Sequence, residues 1–221
     1  FKAAFKDDVL YIADGHHRAA SAVRVGMQRR KAAPGYTGDE EFNRFMAVIF
    51  PHRQLKIIAY NRIVRDLNGR TVEEFIGQLS ENFFVEKTGT KSSETVHEIY
   101  MYTGGSWYRL KPRFIPDQDP IGSLDVNILQ KYVLGPVLGI QDPRTDTRIN
   151  FIGGKDSVEE IQRSVDSGSH MVAFSLCPTK IEQLMSVSDM DGIMPPKSTW
   201  FEPKLQSGIV LHLLQAGGKG G

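Results

Sequence analysis

Val9-Leu10-Tyr11-Ile12-Ala13-Asp14-Gly15-His16-His17-Arg18-Ala19-Ala20 is the stretch on which the reading of the fold turns. A short apolar run comes first, then an Asp-Gly pair, then alanines at helical spacing through Val25. That order reads as a buried strand turning tightly into a helix. Gly26 is placed to close the helix as a C-cap, and residues 28–41 read as a polar loop.

Outward from this unit, residues 45–50 (Phe-Met-Ala-Val-Ile-Phe) read as a second core strand stopped by Pro51, and residues 55–64 as a third. Thr71-Val72-Glu73-Glu74 has the hydroxyl-to-carboxylate spacing of a capping box, opening a helix with Phe75, Ile76 and Leu79 on its apolar face. Residues 83–87, 97–103 and 107–111 read as strands, the last two joined by Gly104-Gly105-Ser106 as a hairpin turn. Residues 125–138 are apolar at helical spacing. Residues 149–152 form a short strand, and residues 158–165 a helix capped by Ser157 and closed by Gly168. Residues 171–176 are a strand, 181–187 a helix and 208–214 a final strand. The sum is an α/β (α+β) fold, with a mixed sheet flanked by helices and a β-meander in mid-chain.

The chain has 221 residues, 40% hydrophobic and 24% charged, which excludes a disordered or fibrous protein and allows a sizeable core. Residues 1–214 read as one α/β unit with a candidate subdivision at 68–70, and the glycine-rich residues 215–221 as a flexible tail. Lys+Arg 27 against Asp+Glu 26 leaves a formal charge of +1. Arg18, Arg24, Arg29, Arg30 and Lys31 cluster around the first helix, but the even balance and the lack of a recognition-helix motif argue against a nucleic-acid partner. The single cysteine, Cys177, cannot form an internal disulfide and points to a reducing compartment. No apolar run approaches the ~18–20 residues of a membrane span, so the reading is soluble and cytoplasmic. Oligomeric state is left open.

Chemistry concentrates at Asp14-Gly15-His16-His17-Arg18. A helix N-terminus presents unpaired N–H groups and partial positive charge, which makes this turn an anion seat. Arg18 adds a planar fork suited to phosphate, while Gly15 frees the backbone to turn. His16 and His17 are able to donate to phosphate oxygens or carry protons, and Asp14 to cap the helix, hold a histidine tautomer or reach a metal through water. The plain alternative is ordinary turn chemistry with polar surface histidines. Adjacent histidines point apart on a helix, so no metal held directly by His or Cys is expected.

Two further segments stand out. Met194-Pro195-Pro196-Lys197-Ser198-Thr199-Trp200-Phe201-Glu202-Pro203-Lys204 offers a cation, two hydroxyls and a carboxylate on a proline-stiffened loop. It reads either as a phosphate loop or as a connector with Trp200 and Phe201 in the core. Asp142-Pro143-Arg144-Thr145-Asp146 reads either as a substrate-orienting turn or as a salt-bridged one. Gly153-Gly154-Lys155 lacks the spacing of a phosphate loop and is taken as a turn.

Asp14-Gly15-His16-His17-Arg18-Ala19-Ala20 resembles the Gly-x-x-Arg phosphate box of the ParB/sulfiredoxin-like superfamily, in the Asp-Gly-His-His-Arg form of its free-serine kinases. With residues 11–18, 142–146 and 194–204, nearly the whole chain resembles the "domain of unknown function 1015" family. The resemblance implies a ParB-like element at the N-terminal part and a small-molecule phosphate ligand. It also implies a phosphotransferase making O-phosphoserine from free serine, with Mg²⁺ and a nucleotide or pyrophosphate as donor. Full-length members carry an additional N-terminal half, so the chain is expected to be the C-terminal part of a longer protein. The general base of the kinases lies before the box, where no position of this sequence inherits it. On this reading Gly15, Arg18, Lys197, Ser198 and Thr199 bind phosphate, and Asp14, His16 and His17 stand near the transferred group. Arg144, Asp146 and Glu202 orient the substrate. A nucleotide-binding sensor and a phosphohydrolase remain the alternatives.

Overall fold

Between Lys56 and Glu202 the alternation of apolar and polar side chains resolves into eight strands and four helices. The strands are β1 (Lys56–Ile58), β2 (Tyr60–Val64), β3 (Phe83–Thr88), β4 (Ile99–Thr103), β5 (Ser106–Pro112), β6 (Ile149–Gly153), β7 (Val172–Ser175) and β8 (Trp200–Glu202). Helix α1 (His16–Ala32) precedes them, and α2 (Val72–Leu79), α3 (Asp125–Leu129), α4 (Ser157–Asp166) and α5 (Ile181–Asp189) alternate with them. The computed structural model describes residues 3–114, 116, 118–206 and 208–214; the glycine-rich segment 215–221 lies outside the described residues. By backbone contacts the chain forms two units, Phe1–Leu55 with Pro203–Gly221, and Lys56–Glu202.

In the larger unit six strands lie in the order β3-β5-β4-β7-β2-β6, and β1 pairs with β8. The expected α+β class is present. Every ladder is antiparallel, so the sheet is not mixed as the sequence reading had it. For one pair the reason is local: β4 and β5 form a hairpin through Gly104 and Gly105, whose φ values of 55° and 71° are those of a type I′ turn.

Helices cover both faces of this sheet. On one, Ile161 of α4 packs with Ile63, Tyr100, Tyr102, Trp107 and Ala173, and the Tyr102 and Trp107 rings meet at 5.0 Å. On the other, Phe75 and Leu79 of α2, Ile128 and Leu129 of α3 and Val187 of α5 close over Val64, Met101 and Phe174. Burying Phe75 completely contributes about 2–3 kcal/mol. The capping box of α2 is in place: Glu74 N donates to Thr71 Oγ1 at 3.2 Å and Thr71 N to Glu74 Oε2 at 2.9 Å. Ser157 is the first residue of α4 and not its cap; its hydroxyl accepts from Asn61 Nδ2 at 3.0 Å inside the core.

The helix expected over 125–138 stops at Leu129 and continues as a π-helical turn, Gln130–Leu134, with Gly135 N donating to Gln130 O five residues back at 3.0 Å. Pro136 has no N–H to extend a regular ladder, and the widened turn absorbs the mismatch.

In the smaller unit α1 runs past Gly26, which is no C-cap. It is the one buried residue of the helix, because a Cβ there would stand 2.9 Å from the Phe42 carbonyl oxygen. The strands expected at 9–13, 45–50 and 208–214 are unladdered coil or turn among the described residues. Their side chains, Leu10, Phe45, Val48 and Leu211 among them, are exposed. Apolar alternation makes a strand only where a partner edge and a surface to cover are both present.

One buried carboxylate ties this fold to pH. Asp125 is 8% exposed; its Oδ1 accepts from His97 N at 2.8 Å, its Oδ2 has no partner, and burial pushes its pKa up to about 6. The unfolded chain releases this proton near 3.9. Stability held by the protonated form below about pH 4 is therefore lost as pH rises through 6, a change of about 3 kcal/mol. Asp125→Asn, which keeps an acceptor for His97, is expected to remove that decline. Urea titrations of both proteins at pH 4 and pH 7 check this: an unchanged stability difference between the two pH values refutes it.

Candidate functional site

The first candidate is the turn at the start of α1, within the smaller unit. Gly15 is the N-cap with φ 85° and ψ 25°, a left-handed conformation that side-chain-bearing residues adopt at a cost. Asp14 Oδ1 accepts from Gly15 N at 2.8 Å, so the carboxylate ties down the turn and not the helix. No side chain caps α1, and its first turn has no acidic residue. The ladder begins with Ala19 N donating to Gly15 O at 2.9 Å. The amides of His16, His17 and Arg18 are thus left to an outside acceptor.

Two cations frame these amides. The Arg18 guanidinium folds back over the glycine, so a Cβ on Gly15 would lie 3.0 Å from its NH2. Its NH2 stands 4.0 Å from Asp14 Oδ2, and Lys204 Nζ stands 3.6 Å from the same oxygen. With the Arg18 and Asp14 side chains 64% and 54% exposed, that pair is screened and holds little energy of its own; an arriving anion competes with it easily. His16 and His17 are exposed beside it. Lys204 was overlooked as a site residue in the sequence, since nothing in its spacing ties it to Asp14.

The remaining sequence-derived candidates belong to the larger unit. Lys197 has φ 56°, a left-handed backbone at a non-glycine residue, and its Nζ lies 5.4 Å from the Tyr60 ring centre. Ser198 is buried, its hydroxyl donating to Pro195 O while its carbonyl accepts from Thr179 Oγ1 at 3.0 Å; Thr199 is half-buried. Glu202 Oε1 accepts from Trp200 Nε1 at 2.8 Å. Asp146 accepts from Arg148 N at 2.9 Å and NH2 at 2.8 Å, and this arginine holds its carboxyl below the usual range. Arg144 is exposed, its Nε 3.8 Å from Asp142 Oδ1.

Two of these segments meet. Asp142, Pro143, Arg144, Pro195 and Pro196 line one cleft of about 480 Å³, together with Arg62 from β2. Arg62 carries no motif signal, because a buried arginine inside an apolar strand reads as part of the alternation. Ser198, Asp146 and Glu202 are not among the residues that line this cleft, although the Ser198 hydroxyl bonds to the carbonyl of Pro195, which is.

The model of one family, described as "Protein of unknown function (DUF1015)", matches residues 1–127. No curated protein matches the chain. The solved structures similar to it include the following two. One is a free serine kinase in complex with AMP, at 13% identity and TM-score 0.44 over 86% of this chain and 66% of that one. The other is a conserved hypothetical protein from Pyrococcus furiosus, at 14% identity and TM-score 0.46 over 86% of this chain and 68% of that one. The chain thus spans just under two thirds of the kinase's length.

The geometry of the turn yields a stability test. Gly15→Ala forces a side chain into the left-handed region and against the Arg18 guanidinium. The cost expected is about 1–2 kcal/mol, read as faster amide exchange at Ala19, the first hydrogen-bonded amide of α1, and in the turn after it than in the unmodified protein. Equal exchange rates would show that the turn tolerates a Cβ.

Proposed function

We propose that this chain, which belongs to the DUF1015 family, is a small-molecule phosphotransferase of ParB-like kinship that transfers a phosphoryl group to free L-serine. The observation that carries the reading is the uncapped first turn of α1. Three backbone amides there stand free of side-chain acceptors, with the Arg18 guanidinium folded over Gly15 beside them. Such a turn takes a multiply charged oxyanion through backbone donors and a planar cation at once. The Asp-Gly-His-His-Arg form of the box, which resembles that of free-serine kinases, supports serine as the acceptor.

The donor is a nucleotide or pyrophosphate. Its terminal phosphate sits on the amides of His16, His17 and Arg18, and Arg18 compensates the charge that spreads over the transferred group. The serine hydroxyl oxygen forms the new bond to phosphorus as the bond to the donor's bridging oxygen breaks. The imidazoles of His16 and His17 are exposed there to accept the hydroxyl proton. Mg²⁺ supplies charge neutralisation on the donor's phosphates. The turn has a single carboxylate, Asp14, already flanked by Lys204 and Arg18, which suits an ion brought in by the donor better than one held by the protein alone.

No helix among the described residues is long and apolar enough to cross a membrane. The single cysteine is buried, and its thiol is pushed up to about 11 by burial, which leaves it unreactive. We place the reaction in the cytoplasm.

The protein is to be incubated with serine, Mg²⁺ and, in turn, ATP, ADP or pyrophosphate, with products followed by phosphorus NMR. Phosphoserine is expected from one donor, and Arg18→Ala is expected to weaken that donor's binding by about tenfold or more. Tight nucleotide binding without phosphoserine would make the chain a sensor module, and phosphate release without phosphoserine a hydrolase. Either result overturns the transferase.

A further inference from the structure

Arg62 presents a charge that no carboxylate among the described residues balances. It lies in β2, 4% exposed, paired in register with Phe151 of β6 and Phe174 of β7. Its guanidinium sits 5.5 Å from the Phe151 ring centre. It donates to Tyr60 O, and to Lys197 O at 3.0 Å; both acceptors are neutral carbonyls. No carboxylate among the described residues reaches it, and burial alone pulls its pKa down to about 9, so it stays charged at neutral pH. A buried cation without a counter-charge is unfavourable. Arg62 forms part of the wall of the cleft of about 480 Å³.

The opposite need is met in the same cleft. Gln130, first residue of the π-helical turn, spends its amide N–H groups on Ile140 O at 2.8 Å and Gln141 O at 3.4 Å. Its Oε1 is buried and accepts from nothing. A buried oxygen without a donor is unfavourable. The other charges lining the cleft, Asp142 and Arg144, lie 3.8 Å apart and balance each other. The net demand is therefore one negative charge and one hydrogen-bond donor, between the apolar surfaces of Ile121, Phe151 and Pro196. The volume suits a medium-sized organic molecule.

We infer that this cleft binds a monocarboxylic acid with an apolar body and a hydroxyl beside the carboxylate, the carboxylate on Arg62 and the hydroxyl donating to Gln130 Oε1. A dianionic phosphate would bring one charge more than the cleft balances, and a zwitterionic amino acid one fewer. The site stands apart from the transferase reading, since none of its residues belongs to the Gly15 turn.

The probes are phenyllactate, 3-phenylpropionate, which lacks the hydroxyl, and inorganic phosphate, titrated calorimetrically into the full chain. Phenyllactate is expected to bind severalfold more tightly than 3-phenylpropionate, and phosphate not to bind this cleft. Arg62→Gln is expected to weaken phenyllactate by about tenfold or more. Should that variant not fold, Gln130→Leu decides: it must equalise the two acids. No binding of either acid at millimolar concentration, phosphate binding that depends on Arg62, or a preference unchanged in Gln130→Leu would each overturn the inference.

Discussion

Strand β2 buries two polar side chains in succession, and the arrangement of the larger unit follows from what each requires. Asn61 points to one face of the sheet, where its Nδ2 donates to Ser157 Oγ at 3.0 Å and its Oδ1 accepts from Leu176 N at 3.1 Å. That single amide fixes where α4 begins and where β7 ends. Arg62 points to the other face and takes the Lys197 carbonyl at 3.0 Å, which pins the proline-rich segment to the sheet. Buried polar groups left unpaired cost more than any one apolar contact gains. The two ends of the unit's chain, β1 and β8, pair with each other next to these anchors in sequence.

The two proposed anion sites differ in exposure. At the Gly15 turn the charges face water, and Asp14 and Arg18 at 4.0 Å interact at a dielectric that leaves little. Binding there depends on backbone amides and weakens with salt. In the cleft Arg62 is shielded from solvent, where the same Coulomb attraction is several times stronger. A turn of the first kind suits a multiply charged group that must also leave; a wall of the second kind suits discrimination by charge and shape.

Much of the larger unit was legible because its signals are local. The Thr71 capping box, the Gly104-Gly105 turn and the apolar stripes of α2 and α4 each need only neighbouring residues to be read. The failures share a cause. Residues 9–13 and 45–50 carry strand-like alternation, yet alternation states a need for a partner without naming one. Helix 125–138 widens at Gln130, where Gly135 N bonds to the Gln130 carbonyl five residues back and Pro136 brings no N–H to the ladder. Of the candidate sites, the turn at Gly15 and Arg18 carries a local motif, whereas Arg62 and Gln130 carry none. Their significance lies in what they fail to meet, and an absence of partners has no sequence signature.

Two departures from regular geometry in this unit involve the partners of residues that line that cleft or those residues themselves. Lys197 holds a left-handed backbone at φ 56°, at a cost of about 1–2 kcal/mol, and its carbonyl is the one Arg62 binds. The π-helical turn places Gln130 so that its amide N–H groups reach the Ile140 and Gln141 carbonyls while its oxygen stays unmet. Neither feature improves packing: an apolar residue at position 62 would need no carbonyl from a strained lysine, and a regular helix would leave no bulge. Local strain persists only where the surroundings impose it. Arg62 and Gln130 line a single cleft, and a buried charge and a buried acceptor held side by side there are better explained by a molecule that uses both than by the stability of the fold alone.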